Sequence, residues 1–294
     1  MEAPMQVSIL GTGLMGSPMA IRLRRAGYPL TVWNRTSGKT APAVEAGARF
    51  AATAAEAVAG ADVVLVILEN GPVVERVLFE DGVAGALAPG AVLVDMSSIS
   101  PEAARLHHDR LAALGVAHLD APVSGGPGGA EDGTLAIMVG GEEATFAKAR
   151  DLLGVMGRPT LVGPPGSGQL AKLCSQILSA TAIGALSEVF VLARRYGADP
   201  AMVRQALRGG FAESRVLEVH GDRMLRRDFE PGGHVRTFVK DLRTAMTIAQ
   251  GQNLSLPLAE LAYDLFARFE RSGGGDSDIS GLLQQTEGGS VPSL

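Results

Sequence analysis

Short apolar runs alternate with alanine-rich amphipathic stretches through the first half of the chain. MQVSIL (5–10), PLTVWN (29–34), DVVLVIL (62–68), AVLVDM (91–96) and AHLDAP (117–122) are nearly continuously apolar. That is the pattern of strands covered on both faces of a parallel sheet. Helical patterns at 14–26 and 101–114 lie between them, and the repeating β–α order predicts a doubly wound α/β domain. Two further strands, at 135–141 and 158–164, bracket a helix at about 142–155. Beyond residue 164 the strands give way to long helical patterns. YGADPAMVRQAL (196–207) shows a helix stop at Gly197, an N-cap at Asp199 and proline at the first helical position, Pro200. The predicted boundary falls in the Pro/Gly loop at 163–168, separating an α/β domain (1–164) from an all-α C-terminal domain (165–294).

Composition narrows the function classes. The 294 residues are 46% hydrophobic and 19% charged, with a net charge of -5, which describes a globular chain. No run of Lys/Arg is present to neutralise phosphates, so neither nucleic acid nor an anionic membrane is an expected partner. A single cysteine, Cys174, excludes an intrachain disulfide and a multi-cysteine metal site; without a histidine neighbour it reads as a small core residue. MEAPMQVSILGTG has no basic region ahead of its apolar stretch, so a cytoplasmic location is expected. The longest apolar run, 173–193, contains Ser175, Gln176 and Glu188. These groups are costly in a bilayer, so it reads as a buried helix whose apolar excess favours self-association. The polar, glycine-rich tail is expected to be mobile at its end.

Candidate chemistry begins at SILGTGLMGSPMAIRLRRAGY, where Gly11, Gly13 and Gly16 fall in the G-x-G-x-x-G spacing between a strand and a helix. In that context the glycines permit a tight turn, backbone approach to a pyrophosphate and close strand–helix packing, while helix N–H groups face the anion. The fold class expected is therefore a Rossmann-type doubly wound parallel sheet, with Leu14 and Met15 in the cofactor turn. The second strand ends in NRTSGK. An acid for a ribose 2′-hydroxyl is missing there. Asn34 is neutral, Arg35 can hold a 2′-phosphate, and Thr36 and Lys39 add a hydroxyl and a charge. NADP is the cofactor expected, with NAD the alternative.

Four more segments, DMSSISP (95–101), DAPVSGGPGGAEDGTLAIMVGG (120–141), GSGQLAKLCSQ (166–176) and FVKDL (238–242), follow in order. With the glycine fingerprint they resemble the β-hydroxyacid dehydrogenases over nearly the whole chain. That group includes 3-hydroxyisobutyrate, tartronate semialdehyde (2-hydroxy-3-oxopropionate) and four-carbon sugar-acid enzymes. The likeness leans toward the tartronate semialdehyde reductases. It implies Lys172 as catalytic acid/base, because hydride addition to an aldehyde leaves charge on oxygen that an ammonium can stabilise and protonate. It also implies Leu68, Ser98 and Lys240 near the cofactor, and a small carboxylate-bearing aldehyde or hydroxy acid held by Ser124, Gly125 and Gly126. Ser175 and Gln176 share the Lys172 face at i+3 and i+4. Dimers or tetramers built through the helical domain are implied as well. The chain departs from the family pattern at Ser175, where asparagine is usual, at Glu69, and at Gly233; Gly233 and Phe238 are expected to reshape the pocket. Asp241, next to Lys240, reads as an orienting or surface partner. A related group, the imine reductases, commonly carries Asp or Tyr at the position of Lys172, and a cofactor-binding module without turnover would be expected to lack that lysine.

Overall fold

The computed structural model describes residues 4–288, so the end of the glycine-rich tail lies outside the described residues. The chain divides into two compact units between Lys172 and Leu173.

In the first unit the strands β1 (Val7–Leu10), β2 (Leu30–Trp33), β3 (Arg49–Phe50), β4 (Val63–Val66), β5 (Val92–Asp95), β6 (Ala117–Asp120), β7 (Val123–Ser124), β8 (Leu135–Gly140) and β9 (Gly157–Gly163) form one sheet. Its order is β3-β2-β1-β4-β5-β6-β8-β7, with β9 added on β8. The first six strands are parallel and in the 3-2-1-4-5-6 order of a dinucleotide fold. β8 then joins β6 and β7 antiparallel, which the expectation of a parallel sheet did not include. Alternate residues feed two cores. Val7, Ile9, Leu65 and Val94 pack on one face, while Leu10, Val64, Val66 and Leu93 pack on the other. Both faces are covered, which accounts for the near-continuous apolarity of these strands.

The principal helices of this unit are α1 (Gly16–Arg25), α2 (Pro101–Ala112), α3 (Gly126–Asp132) and α4 (Glu143–Gly154). The 29-residue α5 (Ser167–Arg195) continues into the second unit, where α6 (Pro200–Leu207), α7 (Arg215–Arg226), α8 (Val235–Gly251) and α9 (Pro257–Arg271) follow. Asp199 caps α6 as the sequence predicts, its carboxylate accepting from the backbone N–H of Ala201 at 2.9 Å. Ile183, Phe190, Met224, Val239 and Phe266 form the helical core. Phe238 belongs to it too, packed edge-on against Phe266 with ring centroids 5.0 Å apart. It is a buried core residue.

By length and composition α5 could cross a membrane. It nevertheless buries Ala180, Ile183, Leu186 and Phe190 in the helical core, as the sequence reading expected of it.

Candidate active site

The carboxyl ends of β1, β4, β5 and β6 carry the first group of candidate residues. Between β1 and α1 the chain turns through Gly11, which has φ +107°, a conformation that side chains rarely adopt; a Cβ there would also collide with the carbonyl oxygen of Ile67. Gly16 packs equally tightly, on the carbonyl oxygen of Gly11. Gly13 differs. A Cβ on Gly13 would meet no atom within 4 Å, so the backbone lies open there. The following helix has Met15 at its N-cap without a side-chain hydrogen bond and no acidic residue in its first turn. The Ser17 N–H already donates to the Gly13 carbonyl at 3.1 Å and Pro18 carries no N–H, so an external anion would meet the backbone of the turn itself with no side-chain cap competing for it. Leu14 is exposed and Met15 half-buried beside them.

Asn34, after β2, braces this turn. Its Oδ1 accepts from the backbone N–H of Thr12 at 3.1 Å, and its Nδ2 donates to the carbonyl of Thr36 at 3.0 Å. Arg35, Thr36 and Lys39 stand exposed on the adjoining loop. These residues fit a nicotinamide dinucleotide: an open glycine, an uncapped helix N-terminus and a neighbouring cationic loop, placed where the strand order reverses between β1 and β4.

The ends of β4, β5 and β6 are tied together by a buried polar network. The Leu68 N–H donates to Ser97 Oγ at 3.0 Å, and the Ser97 N–H donates to Asp95 Oδ1 at 2.9 Å. Gln169, in the first turn of α5, donates from Nε2 to the Ser97 carbonyl at 2.8 Å and accepts at Oε1 from the Ile99 N–H at 3.1 Å. Asp120, at the end of β6, accepts from the Gly166 N–H at 2.7 Å and the Gln169 N–H at 2.8 Å. Burial pushes the Asp120 carboxyl above its ordinary pKa, and the backbone donors Gly166, Gln169, Asp120 and Gly168 oppose that rise. The network therefore fixes the start of the helix that carries Lys172 against the loop that carries Ser98. Both of those residues are half-buried.

Ser124 ends β7, followed by Gly125 (φ +137°) and Gly126 (φ +64°), conformations that favour glycine. Space is open at Gly126, and α3 begins there without a side-chain cap. This arrangement suits the carboxylate cradle read from the sequence.

In the second unit, Gln176 is buried and donates from Nε2 to Asp241 Oδ2 at 2.8 Å. Lys240 Nζ lies 3.2 Å from Asp241 Oδ1. Asp241 is 3% exposed, so it is a buried anchor for both residues and not a surface partner. Ser175 is half-buried. Cys174 is exposed and not a core residue; it falls on the outer stripe of α5, while Leu173 beside it is buried.

Ser97, Asp120 and Gln169 are the structurally engaged polar groups that sequence reasoning did not place. Their available signal was weak: a polar residue at the end of an apolar strand or among apolar helical positions, as with Asp120 and Gln169.

Residues 6–166 match the NAD binding domain of 6-phosphogluconate dehydrogenase, and residues 166–286 match the NAD-binding region of NADP-dependent 3-hydroxyisobutyrate dehydrogenase. The 2-hydroxy-3-oxopropionate reductase of Escherichia coli is 44% identical over 286 residues, covering 96% of this chain and 97% of that protein. Among solved structures, a 3-hydroxyisobutyrate dehydrogenase of Mycobacterium tuberculosis with L-serine superposes with a TM-score of 0.86 at 33% identity, covering 96% of this chain and 99% of that one. Psf3 in complex with NADP+ and 2-OPP gives a TM-score of 0.89 at 26% identity, covering 95% and 99%. Fold, cofactor turn and sequence agree: the chain belongs to the 3-hydroxyisobutyrate dehydrogenase family of NAD(P)-dependent β-hydroxyacid dehydrogenases.

Proposed function

We propose that the protein is an NADPH-dependent reductase of a small carboxylate-bearing semialdehyde, with tartronate semialdehyde (2-hydroxy-3-oxopropionate) as its preferred substrate. The observation that carries this reading is the 44% identity to the E. coli reductase along 96% of the chain. It is supported by Arg35, Thr36 and Lys39 on the exposed loop where an NAD site would carry an acid. When bound, the reduced nicotinamide supplies the hydride. Lys172 then donates a proton from Nζ to the carbonyl oxygen as negative charge develops on it, and takes that proton back in the oxidative direction. Ser124 offers its hydroxyl, and Gly125 and Gly126 their backbone N–H groups, to the substrate carboxylate. Ser98 approaches the nicotinamide, Leu68 borders the cofactor, and Lys240 reaches toward cofactor and substrate. Ser175 is shorter than the asparagine usual in the family, so it contacts substrate through water.

A second feature supports self-association. Leu170, Cys174, Leu178, Ala185, Val189 and Leu192 form an exposed, mainly apolar stripe along α5. A continuous apolar stripe of this length is a surface that a second copy would bury, in a dimer or tetramer.

The test follows NADPH and NADH oxidation with tartronate, methylmalonate and succinate semialdehydes and with glyoxylate, with Lys172→Ala alongside. Removing a positioned proton donor should lower kcat by about 10²- to 10⁴-fold. Equal rates for wild type and variant on every aldehyde would overturn the role of Lys172. A preference for methylmalonate semialdehyde with NADH would instead indicate a 3-hydroxyisobutyrate dehydrogenase.

A further inference from the structure

Gln169 is 0% exposed and uses both ends of its side-chain amide on the backbone flanking one residue. Nε2 donates to the carbonyl of Ser97, and Oε1 accepts from the N–H of Ile99. The residue between them is Ser98. Meanwhile the Gln169 backbone N–H is held by Asp120 at 2.8 Å, and Lys172 follows three residues later on the same helix. One side chain thus grips the loop on either side of Ser98 and stands one turn from Lys172.

We infer that Gln169 is a positioning residue for the reaction, setting the distance between the Ser98 loop and the Lys172 ammonium. The inference rests on the reading of Lys172 as proton donor. Several observations favour this role over a purely structural one. Asp120 already anchors the start of α5 through two backbone N–H groups, so Gln169 is not needed to tether the helix. What its amide adds is a bidentate register on residues 97–99. Such a register needs a donor and an acceptor at fixed spacing, which a primary amide provides and neither a hydrocarbon nor a carboxylate does. Ser97 is also committed to neighbouring loops through Leu68 and Asp95, so the loop is stiff on the cofactor side and Gln169 fixes it on the Lys172 side. Displacing reacting groups by about 1 Å can lower a rate by about 10²-fold.

The experiment compares wild type, Gln169→Leu, Gln169→Glu and Lys172→Ala in the full-length protein. For each it measures kcat, cofactor Kd by NADPH fluorescence, thermal midpoint, and the primary deuterium isotope effect with 4-deuterated NADPH. Gln169→Leu should lower kcat by about 10- to 100-fold, raise the isotope effect on kcat, and leave cofactor Kd within about threefold. A folded Gln169→Leu protein with kcat within twofold of wild type would refute the inference. So would a loss of kcat matched by an equal weakening of cofactor binding, since that reports general disorder.

If Gln169→Leu does not fold, Gln169→Glu carries the test. A protonated carboxyl reproduces the amide's donor and acceptor, and an ionised one loses the donor to Ser97. The ratio of its kcat to that of wild type should therefore fall as pH rises; a flat ratio overturns the inference. Lys172→Ala separates the two readings. If it stays fully active, the proton-donor role fails whatever Gln169 does. If it is inactive while Gln169→Leu is normal, only the positioning role fails.

Discussion

His118 gives the most quantitative prediction. It lies on β6, 2% exposed, and neither ring nitrogen has a hydrogen-bond partner. Its ring sits 6.0 Å from that of His108, on the neighbouring helix α2. Burial, reinforced by the charges of His107 and His108, lowers its pKa from 6.5 to about 3. The folded state therefore holds this imidazole neutral while the unfolded chain protonates it below pH 6.5, so unfolding takes up a proton and stability falls as pH drops through that window. At pH 5, two pH units above the folded-state value of about 3, the loss from this one group is about 2 kcal/mol relative to pH 8. Below about pH 3 the loss levels off, because the folded-state imidazole then protonates as well.

His118→Leu has similar volume and removes both the titration and the unpartnered nitrogens. Its stability relative to wild type should rise by about 2 kcal/mol between pH 8 and pH 5. At pH 8 it should already equal or exceed wild type, because an unsatisfied buried polar group costs about 1–3 kcal/mol. Urea unfolding at a series of pH values, followed by the fluorescence of Trp33, is the assay; Trp33 is the only tryptophan and lies in the same unit. The pKa of His107 is also lowered by burial, but it is present in both proteins and largely cancels in the difference. Parallel stability curves for the two proteins between pH 8 and pH 5 would refute the reasoning.

Other substitutions test the cofactor turn and the helical unit. Gly13→Ala should fold with an unchanged thermal midpoint, because no atom lies within 4 Å of the added methyl, yet weaken dinucleotide binding by at least about tenfold by blocking the phosphate approach; Gly11→Ala should lower the midpoint itself, and equal behaviour of the two would contradict the geometry. Arg35→Ala should raise the KM for NADPH by about 10-fold or more while leaving that for NADH within about twofold, and a parallel change in both would remove the 2′-phosphate role. Leu178 is 73% exposed on α5, so Leu178→Lys should shift the protein toward monomer in analytical ultracentrifugation, whereas an unchanged sedimentation coefficient would place self-association elsewhere.

The architecture was legible because burial on two faces leaves a strong mark on sequence. β1, β4 and β5 are four-residue strands buried at every position, and that is why they read as continuous apolar runs. β3 and β7 were missed for the opposite reason. Each is two residues long, and Arg49 and Phe50 of β3 are both exposed, so neither leaves a periodic trace. The antiparallel join of β8 to β6 was invisible because strand direction is set by the path of the chain between strands and not by residue type.

The polar network shows the same limit at the site. The glycine turn could be singled out because its spacing falls between a strand and a helix, and Lys172 because the motifs around it resemble those of a known family. Gln169 looks unremarkable in sequence, and only three-dimensional proximity gives it meaning, its side chain spanning the two peptide groups beside Ser98; Asp241 could be read as a neighbour of Lys240, but not as buried or as holding Gln176 too. A sequence motif records the groups that meet a ligand more readily than the groups that hold them in place, because contact with a ligand restricts residue type while bracing needs only a donor and an acceptor at the right distance. Cys174 makes the converse case. Its small apolar character suggested burial, but on a helix the face decides exposure, and Leu173 on the inner face is 2% exposed while Cys174 is turned outward. Composition alone could not tell the inward stripe of α5 from the outward one, because both are apolar, and that ambiguity is itself what a helix serving one core and a second interface would produce.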